Sequence, residues 1–140
     1  MRRIRHANIQ RKREYNATVS ARSFNSPYLQ VYPDVGNITN ASLTYSGDIL
    51  ADLESGRGHL AAVHLKETIP GVFREVPYGT GHVNFPAVAA KSLLLGVRMF
   101  VGEFWYTGEA NWRKVLQQNN TFLREALREG EKLYNQDLMI

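Results

Sequence analysis

The chain has 140 residues, which is enough for one small domain or for part of a larger one. It contains no cysteine, which excludes disulfides, thiolate zinc sites and a cysteine nucleophile, and favours a reducing, cytoplasmic location. The formal net charge is +4, but residues 1–22 alone carry +6 and leave −2 for the rest, so the basic character belongs to an arm.

Residues 1–22 show no clear hydrophobic period, and we predict an irregular arm ahead of a domain over residues 23–140. A basic arm can bind nucleic acid through phosphate contacts. This arm has no interleaved aromatic residue beyond Tyr15 and no nucleic-acid motif, so nucleic-acid binding is the less favoured interpretation. No apolar run reaches roughly 18 residues, the length of a membrane helix, so we expect no membrane partner.

Beyond the arm, short apolar segments alternate with segments of helical spacing. The strand-like segments are continuous apolar runs, which is typical of a parallel sheet covered by helices, so the predicted fold class is α/β. In chain order we predict a strand over 28–32, a helix from a cap at 37–40 to Gly56, a strand over 60–65, a helix over 86–95, a strand over 97–105 and a helix over 111–134.

Each predicted strand has a polar residue at or near its carboxyl end, where parallel α/β folds bind ligands. These residues are Asp34, His64 and Glu103. Two carboxylates and an imidazole form a ligand set for a divalent metal such as Mn²⁺ or Zn²⁺. Taken singly, Asp34 also fits a helix cap and His64 a hydrogen-bonded core histidine, whereas Glu103 lies among aromatic residues where an unpaired carboxylate is costly to bury.

The loop after the second strand contains Gly79-Thr80-Gly81, whose backbone amides can approach an anion closely. Lys66 and Arg74 add positive charge nearby. Together they predict a phosphate-binding or other anion-binding site. A plain turn and two surface charges are the alternative interpretation of the same residues.

Three stretches, YLQVYPDVGNITN, HLAAVHLKETIPGVFREVPYGTGHVNF and GEFWY, closely resemble the L-ribulose-5-phosphate 3-epimerase family. That family is also described as L-xylulose-5-phosphate 3-epimerase or hexulose-6-phosphate isomerase-like. The resemblance covers about residues 24–140 and implies the C-terminal half of a xylose-isomerase-like TIM barrel, with about its last three βα units. Such a partial barrel would leave open sheet edges, so we expect association through them or a homo-oligomer.

The resemblance implies metal-dependent epimerisation at C3 of a ketopentose 5-phosphate through an enediolate, in L-ascorbate or pentose breakdown. Asp34, His64 and Glu103 match three metal-ligand positions, and Glu103 also matches one of two acid/base glutamates. The second glutamate is expected upstream, where Glu14 is the only acid. Thr80 and Asn84 stand where relatives often carry acids. A non-catalytic remnant that binds metal or sugar phosphate is the alternative, and phosphodiester cleavage, as in apurinic endonucleases, is a remote one.

Overall fold

The computed structural model describes Ser23 and residues 26–138, so the predicted arm over residues 1–22 lies outside the described residues. Helices and a small parallel sheet make up the described part, which confirms the predicted α/β class. No helix there has both the length and the apolar character to span a membrane. In chain order the elements are α1 (Val35–Tyr45), α2 (Ile49–Ser55), β1 (Val63–Leu65), α3 (Phe85–Leu94), β2 (Phe100–Gly102) and α4 (Trp112–Asp137).

The two strands of the described residues, β1 and β2, pair in parallel, as the apolar runs predict. His64 lies opposite Val101, and Leu65 lies opposite Gly102. The ladder continues one step beyond the strands, because the Glu103 N–H donates to the carbonyl of Leu65 at 2.8 Å. The register therefore carries the chain after β2 directly beside the end of β1.

The predicted regular strand over 28–32 is wrong. Only two isolated parallel bridges form, between Val31 and Leu60 and between Asp34 and His64. The second bridge lies three residues after the first on the Val31 side but four residues after it on the Leu60 side, so the segment from Leu60 to His64 bulges between the bridges. Pro33, which lies between the bridges, has no N–H to donate to a ladder. Tyr28 is 95% exposed, so the predicted buried segment begins only near Val31.

The single helix predicted between residues 37 and 56 is instead two helices. α1 ends at Ser46, whose backbone is left-handed with φ of 52°. Asp48 caps α2, because its side chain accepts a hydrogen bond from the Leu50 N–H. Asp34 caps α1 in the same way through the N–H of Asn37, which is the capping role considered for it from the sequence.

The predicted strand over 97–105 is too long, since β2 spans only Phe100–Gly102. Met99 and Val101 are 59% and 39% exposed, so one face of this strand is open rather than buried. Within residues 26–138 β2 pairs with β1 alone, so its other edge has no neighbour to extend the ladder. The two helices predicted over 86–95 and 111–134 are confirmed to within three residues at each end.

The core lies between the sheet and helices α3 and α4, where burial of apolar area supplies the main stabilisation. α4 approaches α3 closely at Gly130, since an added Cβ there would lie 2.5 Å from the Cβ of Ala89. Residues of α1, α2, β1, α3 and α4 contribute to this cluster, and Phe100 of β2 packs against it. Its members include Val35, Leu53, Val63, Leu65, Phe85, Val88, Val97, Leu123 and Ala126.

Candidate functional site

The sheet register brings Asp34, His64 and Glu103 together. Asp34 bridges to His64, which lies opposite Val101, and Glu103 follows Val101 by two residues. Because side chains alternate between the faces of a strand, residues two apart share a face. The candidate ligands thus emerge from three adjacent chain segments on one side of the sheet, at their carboxyl ends.

Each of these three side chains offers one ligand atom, and the three atoms lie within 4.8 Å of one another. His64 Nδ1 is 3.4 Å from Glu103 Oε2. All three side chains are partly exposed, at 17% for Asp34, 25% for His64 and 21% for Glu103. Oxygen and imidazole nitrogen ligands at this spacing, open to solvent on one side, suit a divalent cation. We call this set the carboxylate–histidine cluster.

Asp34 is held by the first turn of α1. Its Oδ1 accepts a hydrogen bond of 3.0 Å from the backbone N–H of Asn37, and its Oδ2 accepts one of 2.6 Å from the Asn37 side-chain amide. These two bonds fix the orientation of the carboxylate, as the outer partners of metal ligands commonly do. Capping of α1 and membership of the cluster are therefore compatible roles for this side chain.

Lys66 reaches into the cluster from the end of β1. Its Nζ lies 3.2 Å from Asp34 Oδ2, 3.7 Å from Glu103 Oε1 and 3.3 Å from Asn37 Oδ1. The side chain is only 7% exposed. The structure gives the Lys66 ammonium two carboxylate partners, and the phosphate contact expected for Lys66 from the sequence stays a prediction.

Tyr32 borders the cluster on the side of His64. The two ring centroids are 5.3 Å apart, with the rings tilted by 38°. Partial burial raises the pKa of the Tyr32 hydroxyl, and the negative charges of Asp34 and Glu103 raise it further. The hydroxyl therefore lies within the electrostatic field of both carboxylates and stays protonated beside them.

Tyr78 holds the backbone at Glu103 and at Leu65, the residue that ends β1. The Tyr78 hydroxyl lies 2.5 Å from the carbonyl of Leu65 and 3.0 Å from the carbonyl of Glu103, so one donor is shared between the ends of both strands. Burial raises the pKa of this hydroxyl well above its usual range, which keeps it a donor. Tyr78 thus ties the two strand ends that carry His64 and Glu103.

The glycine loop approaches an anion, but that anion is the buried carboxylate of Glu67. Its Oε2 accepts from the N–H of Gly79 at 3.0 Å, and its Oε1 accepts from the N–H groups of Thr68 and Val83 at 3.1 and 3.2 Å. An added Cβ at Gly81 would lie 2.2 Å from Glu67 Oε1, so only glycine fits there. A phosphate contact by Gly79 or Gly81 stays a prediction.

Arg74, the other predicted phosphate contact, is exposed on the loop. Its guanidinium carbon lies 4.9 Å from the ring centroid of Trp105, two residues beyond Glu103. Such a cation–π contact positions the guanidinium without consuming its hydrogen-bond donors. Arg74 therefore remains available to an anion near the carboxyl end of β2.

The sequence analysis placed Asn37 in a helix cap and assigned no role to Glu67 or Tyr78, and all three residues support the site. Asn37 follows Asp34 by three residues, which is the spacing of a helix-capping pair, so the sequence contains a signal for their contact. Glu67 directly follows a buried strand and precedes a glycine loop, which suggests an internal acceptor. Nothing local to Tyr78 marks its hydroxyl as the link between two strands.

Comparison with curated proteins identifies similar proteins that are named L-ribulose-5-phosphate 3-epimerase UlaE. L-ribulose-5-phosphate 3-epimerase UlaE of Escherichia coli O1:K1 / APEC is 46% identical over 65 residues, which is 46% of this chain and 22% of that protein. The proteins of the same name from Salmonella paratyphi A and C are 45% identical over 65 residues and 43% identical over 70 residues. Over this segment the chain is a homologue of L-ribulose-5-phosphate 3-epimerases.

The match confirms the resemblance that the motifs indicated. The matching proteins are named as epimerases, which are a class of isomerase. It spans about half of this chain but only 22–23% of the length of those relatives. No protein-family model matches the chain.

Proposed function

We propose that Asp34, His64 and Glu103 hold a divalent metal ion, such as Mn²⁺ or Zn²⁺, in an L-ribulose-5-phosphate 3-epimerase site. The main observation in support of this proposal is that three potential ligand atoms of suitable types lie within 4.8 Å of one another. They do so in a chain that is 43–46% identical, over about half its length, to proteins named as that epimerase.

The residues present fit such an ion. Two carboxylates and one imidazole provide hard oxygen and borderline nitrogen ligands, and Asn37 orients one carboxylate from behind. A bound ion would polarise the ketose oxygens next to the carbon that exchanges its proton, which stabilises negative charge there. The protein's own residues supply the remaining functions.

Glu103 is the residue we assign to proton transfer at C3. Its carboxylate is 21% exposed, and its backbone is held by the Leu65 carbonyl and by the Tyr78 hydroxyl. A base held in this way needs little reorganisation to take a proton next to a carbonyl group. Epimerisation requires a second acid/base on the opposite face, and we assign that role to none of the described residues.

For the phosphate we assign Arg74, with the loop around Gly79 and Gly81 shaping the surface beside it. The Arg74 guanidinium is exposed and orients on Trp105, and guanidinium groups pair strongly with phosphate oxygens. The Lys66 ammonium is buried against carboxylates and is less accessible to a substrate.

We further propose that the βα units described here are the last part of a TIM barrel, and that residues 23–140 form that unit. The parallel pairing of β1 with β2 and the ligand positions at the strand ends support this. Within residues 26–138 one edge of β2 has no neighbouring strand, which supports association through this sheet edge, including a homo-oligomer.

The test is proton exchange at C3 of L-ribulose 5-phosphate in D₂O with Mn²⁺, followed by NMR on the full chain. We expect deuterium to enter at C3 with the wild type and to be lost in Glu103→Gln, because the amide is not a base. Glu125→Gln, on the exposed face of α4, is the matched control and keeps the wild-type rate.

Exchange accompanied by epimerisation would place a second acid/base within this chain. Exchange without epimerisation would mean that Glu103 works as a base on one face only. No exchange by a protein that unfolds cooperatively would overturn the catalytic proposal and favour the alternative, a non-catalytic protein that binds metal or sugar phosphate.

A further inference from the structure

Lys66 is a buried cation inside the candidate metal site. Its ammonium lies 3.2 Å from Asp34 Oδ2 and 3.7 Å from Glu103 Oε1, the carboxylates of two of the three candidate ligands. Its third neighbour, the Asn37 side-chain oxygen at 3.3 Å, is itself part of the Asp34 network. The ammonium thus has three oxygen neighbours, two from the cluster and one from Asn37.

The backbone directs this side chain inward. Lys66 follows His64 by two residues, so both side chains leave the chain on the same face of the β1 segment. Its stem packs against the first turn of α1, because a Cβ added to Gly36 would lie 3.1 Å from Lys66 Cγ and 2.6 Å from its carbonyl oxygen. A larger residue at Gly36 would push Lys66 away from the cluster.

A lysine that is 7% exposed is costly to bury unless opposite charges compensate for lost hydration. Two carboxylates placed close together are also costly to bury, because their negative charges repel each other. Asp34 and Glu103 bring two negative charges, and Lys66 returns one positive charge between them. Each partner therefore offsets the desolvation of the others.

We propose that Lys66 is an internal counter-ion: it stabilises the folded site by offsetting one of the two negative charges of Asp34 and Glu103, and it lowers the affinity of that site for divalent cations. This rests on the proposed metal site. A divalent ion would share the Asp34 and Glu103 oxygens with the ammonium and be repelled by it at short range. Lys66 is thus a positioning and affinity-setting residue rather than a phosphate contact.

The counter-ion role and the phosphate role predict different results. Removal of a counter-ion tightens binding of the metal alone, without substrate, and weakens the fold when no metal is added. Removal of a phosphate contact leaves the affinity for the metal unchanged and weakens the affinity for sugar phosphate.

The experiment is calorimetric titration of the full chain with Mn²⁺ alone, comparing the wild type with Lys66→Met. We expect the dissociation constant of Lys66→Met to be lower by about tenfold or more, because a unit charge a few ångströms from the ion is removed. In EDTA, urea unfolding of Lys66→Met should begin at a lower concentration than for the wild type, and Mn²⁺ should reverse the loss.

Two variants serve as controls. Lys91→Met also removes a lysine from an ion pair, that with Glu54 Oε2 at 2.6 Å on the far side of α3, and should bind Mn²⁺ like the wild type. Lys66→Arg keeps the charge and should stay within about threefold of the wild type. If Lys66→Met does not fold, Lys66→Gln replaces it with the same expectation.

Equal or weaker Mn²⁺ binding by Lys66→Met, beside a wild type that binds Mn²⁺ through Glu103, would overturn this inference and leave the proposed function standing. Equal tightening in Lys66→Arg would also overturn it, since packing rather than charge would then be responsible. Failure of every variant and the wild type to bind Mn²⁺ would overturn the metal site itself, and the inference with it.

Discussion

The carboxylate of Glu67 accepts a hydrogen bond of 3.0 Å from the backbone N–H of Gly79, so a buried acid beside the candidate site fixes the glycine loop. The same carboxylate accepts from the N–H of Val83, at the other end of the loop. An internal anion therefore does for this loop what a bound phosphate does in other glycine-rich loops.

Glu67→Gln should lower the free energy of unfolding by about 1–3 kcal/mol, because one amide nitrogen replaces an acceptor and faces a backbone donor. Urea unfolding measures the loss. Amide hydrogen exchange should become faster at Gly79 or Val83, depending on which way the new amide points. Glu125→Gln, exposed on α4, is the control and should change stability by less than about 0.5 kcal/mol. Unchanged exchange throughout residues 79–83 would contradict a loop-holding role.

Tyr78→Phe should also lower the free energy of unfolding by about 1–3 kcal/mol. Its hydroxyl is the donor shared by the carbonyl groups of Leu65 and Glu103, and the substitution leaves both with one partner fewer. Thermal or urea unfolding checks the size of the effect. Tyr106→Phe removes a hydroxyl from a residue that is 69% exposed and should be nearly neutral.

The same Tyr78→Phe variant tests the link to the site. We expect weaker Mn²⁺ binding, because the backbone at Glu103 loses one of its two ties to the end of β1 and keeps only the hydrogen bond from its N–H to the Leu65 carbonyl. Wild-type Mn²⁺ affinity in a measurably destabilised Tyr78→Phe protein would show that the hydroxyl stabilises the fold without positioning Glu103.

Gly130→Ala should destabilise the protein by about 1–3 kcal/mol, although alanine is the better helix former by about 1 kcal/mol. The added Cβ would lie 2.5 Å from Ala89 Cβ and 2.7 Å from the Pro86 carbonyl oxygen, so α4 must move away from α3. Urea unfolding measures whether the substitution lowers or raises the free energy of unfolding. Glu129→Ala, at the exposed neighbouring position, controls for helix propensity, and a stabilised Gly130→Ala would show that the two helices pack less closely.

The ion pairs of Glu54, which lie away from the candidate site, should make the stability of the protein depend on pH. The hydrogen bond from Arg57, and then that from Lys91, lower the pKa of the Glu54 carboxyl from its ordinary 4.5 to about 2. A lowered pKa in the folded state means stabilisation that is present above pH 4.5 and lost as the pH falls toward 2. The stability difference between wild type and Glu54→Gln should shrink across that window.

Urea midpoints measured at several pH values between those limits check this prediction. The effect should be small and weaken with added salt, because the ion pair is solvent-exposed. Glu131→Gln, on the exposed face of α4, controls for loss of one carboxylate. A wild-type advantage that grows as the pH falls would contradict the assigned sign.

Much of the architecture was readable from local patterns. Helices α3 and α4 begin and end near their predicted positions because their apolar spacing and caps are local features. The division between α1 and α2 was missed, although the Ser46-Gly47-Asp48 stretch contains both the end of one helix and the cap of the next. The strands were predicted too long because continuous apolar sequence does not reveal where a neighbouring strand is available to pair.

The amino-acid sequence by itself determined the α/β class, the carboxylate and imidazole side chains at the strand ends and the similarity to the epimerases over half the chain. These depend on residue type and order. Only the tertiary structure decided that Lys66 faces Asp34 and Glu103, that Glu67 occupies the glycine loop and that Tyr78 joins two strands. The physical reason is that a side-chain partner 12 to 32 residues away depends on strand register and on the cost of burying an unpaired polar group, and neither is encoded locally.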